Sequence, residues 1–190
     1  VCGGEQVAPE GISEFSLSQE IEGVWVDRRV LLHVPRGFDA SGCLPVLLAF
    51  HGNGGAPEDW EAVLQDRVDS ADFVGVYPEG HLQAWNTGHE ASTADDVAFA
   101  EAILDALEDY AGLDVGAPVA QGESNGAGLV HRLGMDSDRF VGVAALSSPL
   151  SEDHLPDGDG PPISVLQIQG TEDDSIPYGG GSDPSGNLLF

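Results

Sequence analysis

The amino-acid sequence predicts an α/β fold, with a mainly parallel central sheet flanked by helices, in a single domain over residues 1–190. Short apolar runs recur along the chain, and helical patterns and Gly- or Pro-containing segments separate them. Several runs are continuously apolar, which is typical of strands covered on both faces in a parallel sheet. In such sheets ligands bind beyond the carboxyl ends of the strands.

Seven apolar runs are predicted as strands. Residues 21–26 and 29–34 are expected to form an antiparallel pair at the sheet edge, joined by a tight turn at Asp27-Arg28. The other predicted strands cover residues 45–50, 73–77, 119–121, 141–146 and 163–168. The segments that follow these strands are therefore the places to look for a site.

The clearest helical pattern runs from about residue 94 to residue 110. One face of this pattern is apolar, through Val97, Ala100, Leu104 and Leu107. Thr93, with Asp96 three residues later, resembles a capping box and predicts where the helix starts. A second helix is expected directly after Ser124.

The chain is strongly acidic. It has 33 acidic and 6 basic residues, all six of them Arg, and a net charge of −27. A polyanion repels nucleic acid and anionic membrane surfaces, so neither class of partner is expected. Adaptation to high salt and an acidic protein from an ordinary habitat both explain this composition. No apolar run approaches the ~18 residues that a membrane span needs.

Two cysteines, Cys2 and Cys43, leave three alternatives open. A disulfide between them would indicate a secreted or cell-envelope protein. Cys2, close to the start of the chain, could instead carry a lipid anchor, and both residues could be free thiols. No metal site is expected, because Asp157-Gly-Asp159 lacks the spacing of a calcium loop.

A Gly-x-Ser-x-Gly motif follows the predicted strand at 119–121. Gly122 and Gly126 flank Ser124, and a small-residue helix start follows. A strand-to-helix turn this sharp brings backbone segments close together, so side chains at the two glycine positions would clash. The motif presents a serine hydroxyl above a helix N-terminus, where negative charge is stabilised. Ser124 is therefore the candidate nucleophile.

A glycine-rich loop, His51 to Gly55, follows the strand at 45–50. Its glycines allow main-chain N–H groups to approach an oxyanion closely. We expect Asn53 to supply one oxyanion donor, with Gly54 as the alternative. Asn125, directly after the candidate nucleophile, is expected to supply the second donor.

Acidic residues follow the last predicted strand, in Gly170 to Asp174. An acid at this point fits the chain order serine, acid, histidine, and Asp173 is preferred over Asp174. Aromatic residues Trp85, Tyr77 and Tyr178 either line a substrate pocket or simply pack in the core.

None of the six histidines follows Asp173 in the sequence. His51 is expected to brace the glycine loop, and His131 to pack within the second helix. His33 lies in an early strand, and the remaining histidines, His81, His89 and His154, lie in predicted loops. We therefore expect the catalytic histidine to lie beyond Phe190.

These motifs together give the chain a family resemblance between about Arg29 and Gly181. It resembles the polyhydroxybutyrate depolymerase-like esterases of the α/β-hydrolase superfamily, which are related to feruloyl and acetylxylan esterases. The specific motifs are Val76-Tyr-Pro-Glu-Gly80, Asp95-Asp-Val-Ala-Phe99, Gly122-Glu-Ser-Asn-Gly126, Gly170-Thr-Glu-Asp173 and Ile176-Pro-Tyr178-Gly-Gly180.

The resemblance implies an α/β-hydrolase fold whose C-terminal part is missing here, with Ser124 as nucleophile and Asp173 as triad acid. It implies a secreted or cell-envelope serine esterase that acts on small or polymeric esters without a cofactor. Gln169 stands where the family usually has histidine. Two alternatives stay open: a binding protein of the same fold without catalysis, and a peptidase or lactone hydrolase with the same triad.

Overall fold

The computed structural model describes residues 2–152 and 162–182, and within them the chain forms one seven-stranded sheet. In chain order the strands are β1 Gly11–Ile21, β2 Val24–Val34, β3 Leu44–Phe50, β4 Val74–Pro78, β5 Leu113–Glu123, β6 Gly142–Leu146 and β7 Ser164–Ile168. The helices are α1 Pro57–Asp69, α2 Asp96–Leu107 and α3 Asn125–Asp136, and a short 3₁₀ turn covers His81–Gln83.

The strand order is β1-β2-β4-β3-β5-β6-β7. β1, β2 and β4 pair antiparallel, and every pair from β4 to β7 is parallel. The predicted mainly parallel sheet with flanking helices is confirmed. Helices α2 and α3 contribute to the larger core on one face, whereas α1 covers the other face through Trp60 and Leu64.

The predicted edge hairpin is wrong in its register. Ile21 pairs with Val24, so the turn is formed by Glu22 and Gly23, both at positive φ (51° and 81°). Two successive residues with positive φ are typical of the type I′ turn that suits a two-residue hairpin. Asp27 and Arg28 lie inside β2. The partner strand is β1, which the sequence analysis did not predict because most of its side chains are polar.

The predicted start of α2 also needs correction. Asp95, rather than Thr93, caps the helix, because its side chain accepts a hydrogen bond from the Ala98 N–H at 3.0 Å. Thr93 instead donates to Glu22 at 3.1 Å. α1, which the sequence analysis did not predict, begins with Pro57 at a favourable first-turn position.

Cys2 and Cys43 form a disulfide, with their Cα atoms 5.8 Å apart and a sequence separation of 41. Of the three alternatives, the structure therefore contains the disulfide. It ties the N-terminal segment to the residues before β3. No described helix is long and apolar enough to cross a bilayer.

A buried ion pair links the antiparallel edge to α2. Arg28 and Asp96 are 3% and 0% exposed, and their charged atoms lie 2.7 Å apart. The guanidinium also lies 3.7 Å from the centre of the Phe99 ring. The second oxygen of Asp96 accepts a hydrogen bond from the Asn86 N–H at 2.6 Å. The pair therefore anchors the loop after β4 as well as the helix.

Replacing Asp96 with alanine should lower the free energy of unfolding by about 3–5 kcal/mol, because Arg28 would remain buried without its partner. Urea unfolding monitored by circular dichroism measures this change. Arg67→Ala is the control, since its ion pair with Asp72 is exposed and should contribute little. Equal midpoints for the Asp96 variant and the parent protein would contradict this assignment.

Candidate active site

Ser124 lies at the bend between β5 and α3, in a backbone conformation that is rare for residues other than glycine. Its φ is 53° and its ψ is −119°. Such a conformation costs about 1–3 kcal/mol and persists only where the surroundings enforce it. The Ser124 N–H donates to the Leu146 carbonyl at 2.9 Å, and its own carbonyl accepts from Ala127 and Gly128. β6 and α3 therefore fix the bend.

The two flanking glycines allow the bend to pack against the rest of the fold. A Cβ added at Gly122 would lie 2.2 Å from the Gly126 carbonyl oxygen, and one added at Gly126 would lie 2.3 Å from the Phe50 oxygen. These distances are far inside van der Waals contact. The clash predicted from the motif is thus present at both positions.

The glycine-rich loop after β3 lies beside Ser124. A Cβ at Gly52 would be 3.6 Å from the Ser124 Cβ. The Gly54 N–H is already donated to the Gln83 carbonyl at 2.7 Å. The Asn53 N–H has no hydrogen-bond partner within the described part of the chain. This geometry favours Asn53 over Gly54 as the loop's oxyanion donor.

Asn125 holds the first position of α3, so its N–H has no partner within the helix and lies at the positive end of the helix dipole. Its side-chain amide forms hydrogen bonds through both Oδ1 and Nδ2. Oδ1 accepts from the Trp85 N–H at 2.7 Å, and Nδ2 donates to the Trp85 carbonyl at 2.8 Å and to Glu90 at 2.7 Å. No sequence motif predicts these contacts of the Asn125 side chain with Trp85 and Glu90.

Trp85 does not line a substrate pocket, which corrects that expectation. It is 0% exposed, its indole N–H donates to the His51 carbonyl at 2.7 Å, and its ring packs edge-on against Phe50. Trp85 therefore joins the glycine loop to Asn125, holding the two candidate donors relative to each other. Tyr77 is also fully buried.

His51 braces the glycine loop, as expected. The ring is 2% exposed, Nδ1 lies 2.7 Å from the Gly52 carbonyl, and Nε2 accepts the Gly80 N–H at 3.0 Å. This pattern requires the neutral tautomer with its proton on Nδ1, and burial lowers the pKa of the ring. Both nitrogens are occupied by main-chain groups, so His51 has no lone pair available for proton transfer.

Asp173 follows β7 and is fixed by three hydrogen bonds. The N–H groups of Ser175 and Ile176 donate to one oxygen at 2.9 Å, and Gln169 donates to the other at 3.1 Å. The bond from Ile176 is the main cause that lowers the pKa of the carboxyl below its ordinary value. Gln169, at the family's usual histidine position, thus orients the acid.

The other histidines have separate places. His33 lies between Glu61 and Asp69 of α1, and His81 contacts Ser92. His131 is seven residues beyond Ser124 on α3, a rise of about 10 Å, and lies 3.3 Å from the Ser148 carbonyl. His154, Asp157 and Asp159 lie outside the described residues.

Two cavities meet at Ser124 and Asn53. The smaller has a volume of about 200 Å³, and its wall includes Glu90, Thr87 and Ile176. The larger, of about 650 Å³, lies along the glycine loop and α1. Sequence reasoning missed Thr87 and Glu90, which belong to no motif.

Tyr178 is 62% exposed and belongs to neither cavity wall as the described residues form them, so its substrate role stays a prediction.

Comparisons with known proteins give relatives among esterases. The chain is 30% identical over 166 residues to feruloyl esterase B of Piromyces equi, covering 81% of this chain and 31% of that enzyme. It is 27% identical over 190 residues to feruloyl esterase C of Emericella nidulans, covering 95% of this chain and 64% of that enzyme. The chain thus spans about a third and just under two thirds of their lengths. No family model matches the chain.

Among solved structures, the chain superposes on LpqC, a poly(3-hydroxybutyrate) depolymerase from Bordetella parapertussis, with a TM-score of 0.65. The match covers 93% of this chain and 70% of that one, at 18% identity. At this level of identity the likeness shows a shared fold.

Gly126→Ala should destabilise the protein by roughly 1–3 kcal/mol or more, because the new methyl group would overlap the Phe50 carbonyl. Gly179→Ala is the matched control, since no atom of the described residues lies within 4 Å of its added Cβ. Thermal unfolding of the two variants measures the difference. If both unfold at the same temperature, the close packing of the bend is refuted.

Proposed function

We propose that the chain, which has the fold of the α/β-hydrolase superfamily and relatives among its esterases, hydrolyses carboxylic esters through an acyl-enzyme at Ser124. The observation that carries the proposal is the strained bend, which sets Ser124 beside two N–H groups without partners in the described chain. Relatives named as feruloyl esterases and the depolymerase-like fold agree with ester substrates.

In the proposed mechanism the Ser124 hydroxyl attacks the ester carbonyl, and the negative charge moves to the carbonyl oxygen. The N–H groups of Asn53 and Asn125 donate to this oxyanion, and each such donor contributes about 3–4 kcal/mol to transition-state stabilisation. Collapse of the tetrahedral intermediate releases the alcohol and leaves an acyl-enzyme. Water then attacks the acyl group and restores the serine.

A general base must accept the Ser124 proton and later return it to the leaving alcohol. His51 is excluded by its two main-chain hydrogen bonds, and His131 is hydrogen-bonded to the Ser148 carbonyl rather than to Ser124. We propose that the base is a histidine outside the described residues, in the chain order serine, acid, histidine that the family resemblance implies. Asp173 would orient that histidine and stabilise its charged form.

The conformation of Ser124 supports catalysis over the alternative of a binding protein without activity. A binding surface has no need of a strained serine, and relaxing this bend would release free energy. The same geometry also suits lactones and peptides, which share the tetrahedral intermediate. The names of the relatives favour esters of feruloyl or hydroxyalkanoate type over those substrates.

The disulfide supports a secreted or cell-envelope location, because disulfides persist in oxidising compartments. The charge of −27 supports the expectation that no nucleic acid is a partner.

A fluorophosphonate probe should label the full-length protein at Ser124, and Ser124→Ala should lose both labelling and hydrolysis of 4-nitrophenyl acetate. Ser16→Ala, at an exposed position of β1, is the control and should behave as the parent protein. Peptide mass spectrometry locates the label. An unlabelled parent protein would favour the non-catalytic alternative.

Asn125→Ala should lower kcat for 4-nitrophenyl esters about tenfold and change KM less, because it releases the Trp85 segment that fixes the oxyanion donors. The main-chain donor itself is retained, so the loss should stay below that of a deleted donor. Gln65→Ala, exposed on α1, serves as control. A rise in KM at constant kcat would show that Asn125 acts in substrate binding instead.

A further inference from the structure

The smaller cavity beside Ser124 contains a carboxylate that the proposed mechanism does not use. Glu90 is part of the cavity wall, together with Thr87 and Asn125 on one side and the apolar Pro149, Leu150 and Ile176. Among the described residues of this wall, Glu90 is the only acid. The negative charge of Glu90 therefore acts electrostatically on any substrate group that enters the cavity beside Ser124.

The hydrogen bonds of Glu90 come from neutral donors. Thr87 donates its hydroxyl at 2.7 Å and its main-chain N–H at 2.8 Å, Asn125 donates Nδ2 at 2.7 Å, and the His89 N–H lies at 3.3 Å. These bonds hold the carboxylate in place without cancelling its charge.

No arginine of the described chain forms an ion pair with Glu90, and the sequence contains no lysine. Arg132, on the same helix as Asn125, is engaged with Asp136 and with the Asn86 carbonyl. His131 shares the cavity wall, but burial lowers its pKa, so it is neutral at pH 7. The described residues of the cavity wall therefore carry a net negative charge.

We propose that Glu90 makes the smaller cavity an acyl-group site that admits neutral or cationic acyl groups and rejects acyl groups carrying a carboxylate. This inference rests on the proposed esterase function. The narrow volume of about 200 Å³ suits an acyl chain, whereas the cleft of about 650 Å³ leaves room for a larger alcohol. A carboxylate inside the cavity would lie within about 10 Å of Glu90, where salt screens the repulsion only in part.

The test uses three 4-nitrophenyl esters with acyl groups of matched length: adipate (charge −1), adipamate (neutral) and 6-(trimethylammonio)hexanoate (charge +1). The measured quantity is kcat/KM of the full-length protein at pH 7.5 in 0.5 M NaCl, which screens the overall charge of the protein. The parent enzyme should hydrolyse the adipate ester at least tenfold more slowly than the adipamate ester.

Glu90→Gln should raise the adipate-to-adipamate ratio about tenfold and lower the relative rate for the cationic ester. The ratio is the readout, because loss of the contacts to Thr87 and Asn125 would slow all three esters together. Glu20→Gln is the control, since it removes the same charge from an exposed position on β1.

An adipate-to-adipamate ratio that is equal in the parent, the Glu20 variant and the Glu90 variant would overturn the inference while leaving the esterase proposal intact. Failure of the parent protein to hydrolyse any of the three esters would instead overturn the esterase proposal itself.

Discussion

The close contact between the bend at Ser124 and the end of β3 is the constraint on which the site depends. Gly126 packs against the Phe50 carbonyl so tightly that no side chain fits between them. This contact places the start of α3 next to the glycine loop that follows Phe50. It thereby brings a helix N-terminus, a serine and the Asn53 N–H to one point at the carboxyl edge of the sheet.

A second layer of contacts holds that arrangement in place. Trp85 bonds to the glycine loop through its indole and to Asn125 through its main chain. The next residue, Asn86, is tied to Asp96 and hence to the buried ion pair with Arg28. Stability and function are coupled here, because the pair that fastens α2 to the sheet edge also fixes the segment that positions the candidate oxyanion donors.

The sequence predicted the fold correctly at positions where one physical property of a residue type determines the local structure. The glycines of the elbow and the continuous apolar runs predicted the bend and the parallel strands correctly. The hairpin register failed because β1 is mostly polar, with Phe15 and Leu17 as its inward-packed apolar side chains. Trp85 and Glu90 were misjudged or missed because their roles arise from contacts across 34 to 40 residues of sequence, which no local pattern encodes.

The most direct test is a crystal structure of the full-length protein with a phosphonate bound covalently to Ser124. We expect the phosphoryl oxygen to lie within hydrogen-bond distance, about 2.7–3.1 Å, of both the Asn53 and the Asn125 nitrogen atoms. An adduct whose oxygen is directed away from these two N–H groups, or a phosphonate found on another residue, would contradict the account.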